Sequence, residues 1–542
     1  MEHLLTKLKS SETTIAEPFA VELLMGDAVY SALDKPVFQT AWDQLYESCS
    51  WGTVFQSRLF VTSWYHIYRK QQEPVLVYAR HENSLLGLMA LTYDTESKVL
   101  TGAGKDEACY HVWLADSEFG DVFAVSALNE LISKFKESII DFNEMPSGTP
   151  LSWLEYDAGL RERGVLQILQ RPLMDFKAPN AARLISSNGI DSKLKRLKRL
   201  GDVSFERITC HDCFVSVLDE INDQFDFRKG AMLNQSPFKN EPLKKELQLA
   251  LFRQGLLYVA IMRVGGQLVA SVTGVISRDN CINGFTNTYA PSYAKYSPGI
   301  VSFILLGKQL YNEGIALYDL TTGGHGYKDR LANAYDEVYI LQIRGKHARI
   351  VDETKALIRS SVKGLLQRIG VKPRVVRNDI RFILSKQKEQ FRAISAAGTA
   401  TAAQGLALRL GLFGKGHYYL LPTSGSLGAA AWLRRGSLSD LLDFGQKGGL
   451  LTRWDFLAQA ERRLQAGQEP LTLSREGLLL CCVWLLPGGE LEWLYCHRGW
   501  EGELAGFLAA VAKHAGEGAR VLVREPSLRR VLEKAGFAII NA

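Results

Sequence analysis

The sequence predicts a mixed α/β (α+β) protein assembled from several units of strands and helices. The first observation is a run of three apolar strands, residues 256–264, 267–276 and 281–289, which tight turns join. The second is an amphipathic helix that follows this run and leads into a short apolar strand, residues 315–320. The third is a change of composition beyond residue 405, where leucine, glycine, alanine and arginine increase and a new series of strands begins.

Length and composition describe a large folded protein. The 542 residues are enough for two to four domains, and 46% apolar with 23% charged residues is ordinary for such a protein. A net charge of +6 suits anionic ligands such as a coenzyme, or a membrane surface, but is too small to indicate DNA. The start of the chain lacks the apolar core of a signal peptide, and the longest apolar run, residues 478–486, is about half a membrane span. We therefore expect a cytoplasmic protein without a transmembrane segment.

The cysteines do not indicate a disulfide framework or a metal site. Eight of them are scattered along the chain, which fits reduced thiols. Cys210 and Cys213 have the C-x-x-C spacing, but no second pair of ligands follows at the spacing of a zinc site. We therefore expect no metal.

Residues 1–173 are expected to form a first unit. A short strand at 21–25 precedes a hairpin of strands at 74–80 and 85–93, and a helix follows at 122–136. An aromatic-rich segment lies between the first strand and the hairpin. Its side chains are expected to pack in a core rather than to line a ligand site: Trp42, Tyr46, Trp51, Phe55, Phe60, Trp64 and Tyr68.

Residues 174–394 are expected to form a second unit. It opens with a short helix at 193–200, whose leucines fall three apart and whose other face is strongly basic. Most such runs are solvated surface, and the alternative is a contact with phosphates of a donor, an acceptor or a lipid. Helices at 214–227 and 243–254 then lead into the three apolar strands.

The helix after the third strand has clear start and stop signals. Ser297 is predicted as an N-cap hydroxyl, Pro298 fits the first turn, and Gly299 lets the backbone approach a ligand. Gly314 is predicted as the left-handed residue that ends the helix. A helix N-terminus can hold a pyrophosphate, although the same arrangement is common in α/β proteins without a ligand there. The apolar face comprises Ile300, Phe303, Ile304, Gly307, Leu310 and Tyr311.

A glycine-rich turn follows the short strand. Asp319 lies near the end of that strand, and residues 321–326 are too rich in glycine to continue a sheet. The turn carries His325, and Tyr327 and Lys328 come directly after it. An acyl transfer needs a proton acceptor and donors for an oxyanion, and these side chains can supply both.

With these residues, the segment 256–343 resembles the core of a GNAT-type acyltransferase. More narrowly, it resembles the bacterial exopolysaccharide acetyltransferases known as CelD/BcsL cellulose-biosynthesis proteins. These are related to the FemAB aminoacyltransferases, which contain two GNAT-like halves. The resemblance extends over about residues 19–350 and is carried by Gly265 to Ala270, Tyr296 to Gly299, Gly314, Tyr318 to Leu320, Gly323, Gly324, Tyr327 and Lys328.

The resemblance implies tandem GNAT-like halves, residues 1–173 and 174–394, and an N- or O-acyl transfer from acetyl-CoA or another acyl-CoA. The acceptor would be a sugar or an amine in exopolysaccharide or cell-envelope synthesis, with exopolysaccharide synthesis proteins as partners. The family's phosphate-binding loop is only partly present, because Gly299 alone keeps its glycine pattern. The residues expected to hold the donor are Tyr296, Ser297, Gly299, Ile300 and Val301.

The same resemblance and the chemistry of the side chains give the expected roles. Asp319 is a candidate base or acceptor-orienting group, with the alternative that it caps the following turn, and His325 is a candidate base. Tyr327 would donate to the oxyanion or the leaving thiolate, and Lys328 would offset negative charge. Asp226 and Arg228 are expected at the acceptor. Since no nucleophile motif is found, direct transfer is favoured over an acyl-enzyme.

Two alternatives remain open from the sequence. One is a FemAB-like enzyme that takes an aminoacyl group from tRNA and binds the RNA through the basic helix at 193–200. The other is a non-catalytic tandem-GNAT scaffold of a polysaccharide synthesis system, which the incomplete phosphate loop favours.

Residues 395–405 are predicted as a linker, because they are small and lack periodicity. Residues 406–542 resemble a further, degenerate GNAT-like domain. Glu501 and Glu503 lie where this domain would hold an anion, so electrostatics argue against coenzyme binding there. A structural or regulatory role is expected for it.

Overall fold

The structure is a computed structural model, and it describes residues 20–181, 190–278, 280–323, 327–345, 417–421, 433–445, 451–497, 499–516 and 518–540. The predicted linker at 395–405, the candidate base His325 and the N-terminal residues lie outside the described residues.

The first unit alternates strands with helices as the sequence predicts. Its strands are β1 Glu22–Met25, β2 Glu73–His81, β3 Ser84–Asp94, β4 Val99–Gly102, β5 Leu114–Ala115, β6 Ile139–Pro146 and β7 Gly164–Asp175. Its helices are α1 Asp27–Leu33, α2 Pro36–Ser48, α3 Arg58–Ile67, α4 Gly120–Lys134, α5 Trp153–Tyr156 and α6 Ala158–Arg163. All seven aromatic residues expected in the core are buried.

The second unit repeats this order. Its strands are β8 Val203–Arg207, β9 Leu257–Val264, β10 Gln267–Ser277, β11 Cys281–Tyr289, β12 Leu317–Asp319 and β13 Ala334–Ile343. Its helices are α7 Ile190–Lys198, α8 His211–Leu233, α9 Pro237–Asn240, α10 Leu243–Arg253, α11 Pro298–Asn312 and α12 Lys328–Leu331. A 3₁₀ helix, Pro291–Tyr296, leads directly into α11.

Both units share one 13-stranded sheet with the order β1-β2-β3-β4-β6-β13-β7-β12-β11-β10-β9-β8, and β5 pairs with β3. The last strand of each unit is inserted beside the other unit. β13 pairs antiparallel with β6, β7 pairs antiparallel with β12, and β7 and β13 pair with each other. The predicted boundary at 173 therefore falls inside β7, in a strand that hydrogen-bonds to the second unit.

Glycines determine two of the connections around β9–β11 and α11. Gly265 and Gly266 have φ of 56° and 81°, which forms the tight turn predicted between β9 and β10. Gly314 has φ of 74° just beyond the end of α11, which confirms it as the helix-ending residue.

Two expectations for α11 need correction. Ser297 precedes the helix, but its hydroxyl makes no capping hydrogen bond. It has φ of 58° and ψ of 47° because it ends the 3₁₀ helix and begins α11 at once. Tyr311, predicted on the apolar face, is 45% exposed, whereas Val301 and Leu306 are buried together with Phe303, Ile304 and Leu310. The buried face of the helix is thus rotated away from Tyr311.

A third unit follows beyond residue 416. Its strands are β14 His417–Leu420, β15 Arg434–Arg435, β16 Glu469–Arg475, β17 Leu478–Leu485, β18 Leu491–Cys496, β19 Arg520–Val523 and β20 Ile539–Ile540. Its helices are α13 Leu438–Leu442, α14 Arg453–Gln465, α15 Glu501–Ala515 and α16 Pro526–Lys534. The sheet order is β15-β16-β17-β18-β19-β14-β20, in which an earlier strand, β14, lies between β19 and β20, as β7 lies between β12 and β13.

The third unit packs against the C-terminal end of α8. Phe227 and Ala231 of α8 belong to the same apolar cluster as Leu457 of α14. The indole N–H of Trp454 donates to the carbonyl of Ala231 at 3.0 Å. A side chain at Gly230 would place its Cβ 2.7 Å from the Leu457 methyl group, so this glycine allows the close approach of the two helices.

No helix in the described parts of the chain is long and apolar enough to cross a membrane.

Candidate active site

An opening in the sheet lies between β11 and β12. The two strands pair in parallel only at Cys281 with Leu317, Ile282 with Tyr318, and Asn283 with Asp319. β12 then ends, whereas β11 continues to Tyr289. Among the described strands, residues 284–289 of β11 pair with β10 on one side and with no strand on the other. We call this opening the strand gap.

The first turn of α11 lies beside the strand gap. A Cβ on Gly299 would be 3.2 Å from the Tyr289 ring and 3.4 Å from the side-chain oxygen of Asn287, so a larger residue would crowd this site. The amides of Ile300 and Val301 already donate to the Ser297 carbonyl at 3.1 and 3.2 Å. The Val301 side chain is fully buried. Of the residues expected to hold a donor, Gly299 is therefore placed closest to the open edge of β11.

Buried polar atoms without a partner are found along the strand gap. Within the described residues, Arg228 Nε, Asn287 Nδ2 and Thr288 Oγ1 are buried and make no hydrogen bond. The Arg228 guanidinium lies over the Tyr289 ring, 5.5 Å from its centroid. Successive side chains of a strand point to opposite faces, so Thr288 lies on the other face of the sheet from Asn287 and Tyr289. Buried polar groups in proteins are nearly always hydrogen-bonded, so Arg228 and Asn287 indicate a place for a polar ligand. Arg228 thus lies beside the end of β11, and its expected contact with an acceptor stays a prediction.

Two lysines interact electrostatically near the segment that follows β12. Burial lowers the pKa of Lys229 and also that of Lys328. The Lys328 ammonium donates to the carbonyl of Thr321 at 3.1 Å, to its hydroxyl at 3.0 Å and to the carbonyl of Thr322 at 2.7 Å. Lys328 therefore fixes the segment that follows β12 at the mouth of the gap.

Asp319 is fully buried, and both of its oxygens are engaged. One oxygen accepts the amide of Thr321 at 2.7 Å. The other accepts from the Tyr110 hydroxyl and from Arg171, whose Nη1 is 3.3 Å away. Arg171 also pairs with Asp336. Although burial raises the pKa of Asp319, these contacts match the alternative that it holds the turn, and its role as a base stays a prediction.

The remaining predicted residues lie at different places around the gap. The Tyr327 ring stacks on Phe303 of α11 with centroids 5.9 Å apart, and burial raises the pKa of the Tyr327 hydroxyl. Tyr296 lies in the 3₁₀ helix, with the Arg196 guanidinium 5.4 Å from its ring centroid. Tyr327 and Lys328 thus reach different parts of the site although they are neighbours in sequence.

Asp226 is placed as a helix-capping residue. Its carboxylate is almost fully buried and accepts the amides of Phe238 at 3.0 Å and Lys239 at 2.7 Å, at the start of α9. These two hydrogen bonds hold the start of α9, and the expected contact of Asp226 with an acceptor stays a prediction.

The sequence analysis missed a cavity of about 510 Å³ where the first unit meets β11 and β12. Its walls include Gly284, the first residue of β11 beyond its pairing with β12, and Thr321 and Thr322 from the segment after β12. Glu144 of β6 projects here and accepts a hydrogen bond from the Thr322 hydroxyl. Cys109 donates to the Gly284 carbonyl at 3.8 Å. No local sequence signal marks Glu144, because its partners come from the other unit.

Nothing in the described ranges suggests a metal centre, since no cluster of His, Cys, Asp and Glu there has the arrangement of metal ligands. Cys210 has another role, because its sulfur accepts the amide of Cys213 at 3.3 Å at the start of α8.

Comparison with known proteins gives the class of the second unit. Residues 186–329 match the family described as acetyltransferase (GNAT) domain. These residues contain α7 to α11, β8 to β12 and both sides of the strand gap. The match supports an acyltransferase. A search of curated proteins with the whole chain gives no match.

Solved structures with a similar chain course include three of interest. FemX is 10% identical and matches 56% of this chain and 95% of its own, with a TM-score of 0.38. A tandem GNAT protein from the clavulanic acid biosynthesis pathway is 10% identical over 60% of this chain and 99% of its own, with a TM-score of 0.35. L-PGS from Bacillus licheniformis is 12% identical over 51% of this chain and 86% of its own, with a TM-score of 0.36. Likenesses of this strength carry no functional argument.

Proposed function

We propose that the protein transfers an acyl group, acetyl in the first instance, from a coenzyme A thioester to a nucleophile on a sugar or an amine-bearing precursor. The strand gap is the observation that carries the proposal. It combines an open strand edge, a helix start with a glycine at the closest approach, and buried polar atoms without partners. The link to exopolysaccharide or envelope synthesis rests on the sequence resemblance alone.

The chemistry of the gap suits an elongated anionic donor. The edge of residues 285–289 that faces away from β10 can pair with the peptide-like arm of coenzyme A, as an added strand would. Arg228, whose guanidinium lies over the Tyr289 ring, supplies positive charge beside that edge. We assign to Tyr327, whose ring stacks on Phe303 of α11, the donation of a hydrogen bond to the leaving thiolate.

Calorimetric titration with acetyl-CoA tests this proposal. We expect binding in the micromolar range, and we expect Gly299→Trp to weaken it by about tenfold or more because the new side chain meets Tyr289 and Asn287. Gly502→Trp is the matched control: Gly502 holds the same second position in α15, and a Cβ there meets nothing within 4 Å. Absence of binding by the folded wild type, or equal binding by both variants, would contradict the proposal.

A second candidate function is transfer of an aminoacyl group from tRNA. The observation that favours it is the position of α7, whose basic face adjoins the start of α11. Arg196 donates to the Lys295 carbonyl at 3.2 Å and lies over Tyr296, which places the charges of α7 beside the strand gap. A long polyanion could therefore reach the gap along this helix.

The salt dependence of binding separates the two donors. A tRNA donor predicts that the logarithm of affinity falls steeply with the logarithm of salt, and that Lys193→Gln with Lys195→Gln reduces the slope. Acetyl-CoA has few phosphates, so its slope would be shallow. Equal affinities for charged tRNA in the wild type and the double variant would rule out the RNA-binding role of α7.

A further inference from the structure

The cavity between the first unit and the strand gap has a defined relation to the gap. Its walls include Gly284, where β11 loses its partner strand, and Thr321 and Thr322, where the chain leaves β12. The opposite wall comes from the first unit, including Thr101 of β4 and Glu144 of β6. A molecule in the cavity would therefore lie at the end of the strand gap, next to a donor that is bound in the strand gap.

The backbone presents Glu144 to the cavity in an unusual way. Glu144 has φ of 52°, a conformation that costs about 1 kcal/mol or more for a residue other than glycine. Glu144 lies within β6, where Phe142 and Met145 pair with β13 and Glu144 itself does not. Positions of this kind are concentrated at functional sites, where strain directs a side chain. Here the strain directs a carboxylate to the Thr322 hydroxyl.

The charged lining of the cavity discriminates between classes of acceptor. Three carboxylates face it, from Asp106, Asp141 and Glu144, against one lysine, Lys105. That lysine is already paired with Asp94 at 3.4 Å. A phosphate or a carboxylate entering this cavity would meet repulsion, whereas an ammonium group would be attracted.

Uncharged polar groups complete the lining. The buried His111 ring is held by the Thr101 hydroxyl at 3.1 Å and by the Lys105 carbonyl at 3.0 Å. Burial lowers the pKa of His111, so its ring adds no positive charge near neutral pH. The cavity is thus polar, its lining residues carry a net negative charge, and its walls include Gly284 at the end of the strand gap.

We propose that this cavity is the acceptor site, that the acceptor is a primary amine without an attached anionic group, and that Glu144 takes the proton from the attacking nitrogen. This inference rests on the proposed acyl transfer at the strand gap. It assigns the acceptor to the first unit and the donor to the second, so the reaction needs both units.

The step balances without a further reactant. The amine binds as an ammonium ion and gives one proton to the Glu144 carboxylate, so that the nitrogen lone pair attacks the thioester carbonyl carbon. The C–S bond breaks, the nitrogen loses its second proton to water, and the thiolate receives a proton from Glu144. The products are an amide, the free thiol of coenzyme A and a hydronium ion, and Glu144 is again a carboxylate.

The surroundings of Glu144 suit a proton acceptor. Burial raises the pKa of Glu144, and the negative charge of Asp319 raises it further. The Thr322 hydrogen bond and the positive charges of Lys328 and Arg171 lower it. The groups that face it from the adjoining elements are Asp319, Lys328, Arg171, Cys109 and Thr322. A carboxylate whose pKa moves toward neutrality is a better base for this step than an exposed one.

The test compares Glu144→Gln with wild type in the full chain, with acetyl-CoA as donor. The probes are two matched pairs, glucosamine with glucose and ethanolamine with ethylene glycol, and release of the free thiol is measured across pH. We expect the two amines to raise the rate and the alcohols not to. We expect Glu144→Gln to lower the amine-dependent rate by about 10²- to 10⁴-fold and to abolish the acidic limb of the pH profile. Glu130→Gln, on the exposed face of α4, is the control.

The outcomes separate this inference from the proposed function. Acetyl-CoA binding measured on the same proteins reports the donor site, and Glu144→Gln should bind the donor as wild type does. Three results, each with normal donor binding, would overturn the inference alone. They are no amine-dependent release of the free thiol, faster release with the alcohols than with the amines, and an unchanged rate in Glu144→Gln. Loss of donor binding in the wild type would overturn the proposed function first.

Discussion

At the scale of single residues, the charged network around Arg171 joins the two units. Arg171 of β7 pairs with Asp319 of β12 and Asp336 of β13, and the Tyr110 hydroxyl of the first unit also donates to Asp319. The Asp319 side chain has no solvent exposure. A buried carboxylate that loses its charged partner destabilises the folded state. The Arg171 network is therefore needed to keep the Asp319 carboxylate buried.

We expect Arg171→Leu to lower the free energy of unfolding by about 3–5 kcal/mol, since it leaves Asp319 buried and unpaired. Lys98→Met removes an exposed ion pair with Glu137 and should lower the free energy of unfolding far less than Arg171→Leu does. Urea denaturation of both variants measures the difference. Equal effects would show that the Arg171 network contributes no more than a surface pair.

Asp223 of α8 predicts a dependence of stability on pH. Burial, with repulsion from neighbouring carboxylates, raises the pKa of Asp223 from 3.8 to about 7. Between these two pH values the folded state holds the proton more tightly than the unfolded state does. The free energy of unfolding therefore falls as pH rises from 3.8 to about 7, and this loss of stability is complete above that pH.

Asp223→Asn should therefore stabilise the protein at pH above 7, by up to about 4 kcal/mol at about 1.4 kcal/mol for each of roughly three pKa units. The gain should shrink as pH falls toward the unfolded value of 3.8. Thermal denaturation across pH measures this, with Asp34→Asn, an exposed carboxylate, as control. A gain that does not change with pH would contradict the titration of Asp223.

Single residues also show which parts of the structure could be predicted from the sequence. Gly314 and the Gly265–Gly266 turn were predictable because their signals are local. Ser297 was not, since its conformation depends on the 3₁₀ helix before it. Glu144 was not, because the hydroxyl it binds lies 178 positions away.

At the scale of elements, the strand gap results from unequal strand lengths. β11 extends over Cys281–Tyr289, whereas β12 covers only Leu317–Asp319, so most of the β11 edge is left open. Both strands were predicted from apolar runs, but β12 was predicted longer, at 315–320. Periodicity identifies a strand but does not show where the pairing of that strand ends. Here the candidate site begins at the residue where β11 stops pairing with β12.

At the scale of the whole molecule, the exchange of β7 and β13 makes the first two units one folded body. The family resemblance implied tandem halves, and the structure has two units with the same order of strands. The sharing of one sheet was not predictable, because strand pairing between distant segments leaves no periodic signal.

This exchange predicts cooperative unfolding. Amides of β2 in the first unit and β9 in the second should exchange through the same global opening, with equal free energies. Native-state hydrogen exchange in increasing denaturant measures both. If β9 exchanges at a much lower free energy than β2, the two units unfold separately and the shared sheet does not couple them.

A crystal structure of the full chain with coenzyme A would show whether the strand gap between β11 and β12 is the donor site. We expect electron density for the pantetheine arm along residues 284–289, with the phosphates beside the first turn of α11 at Gly299. Density in the third unit, between β18 and β19, with an empty gap between β11 and β12 would contradict it.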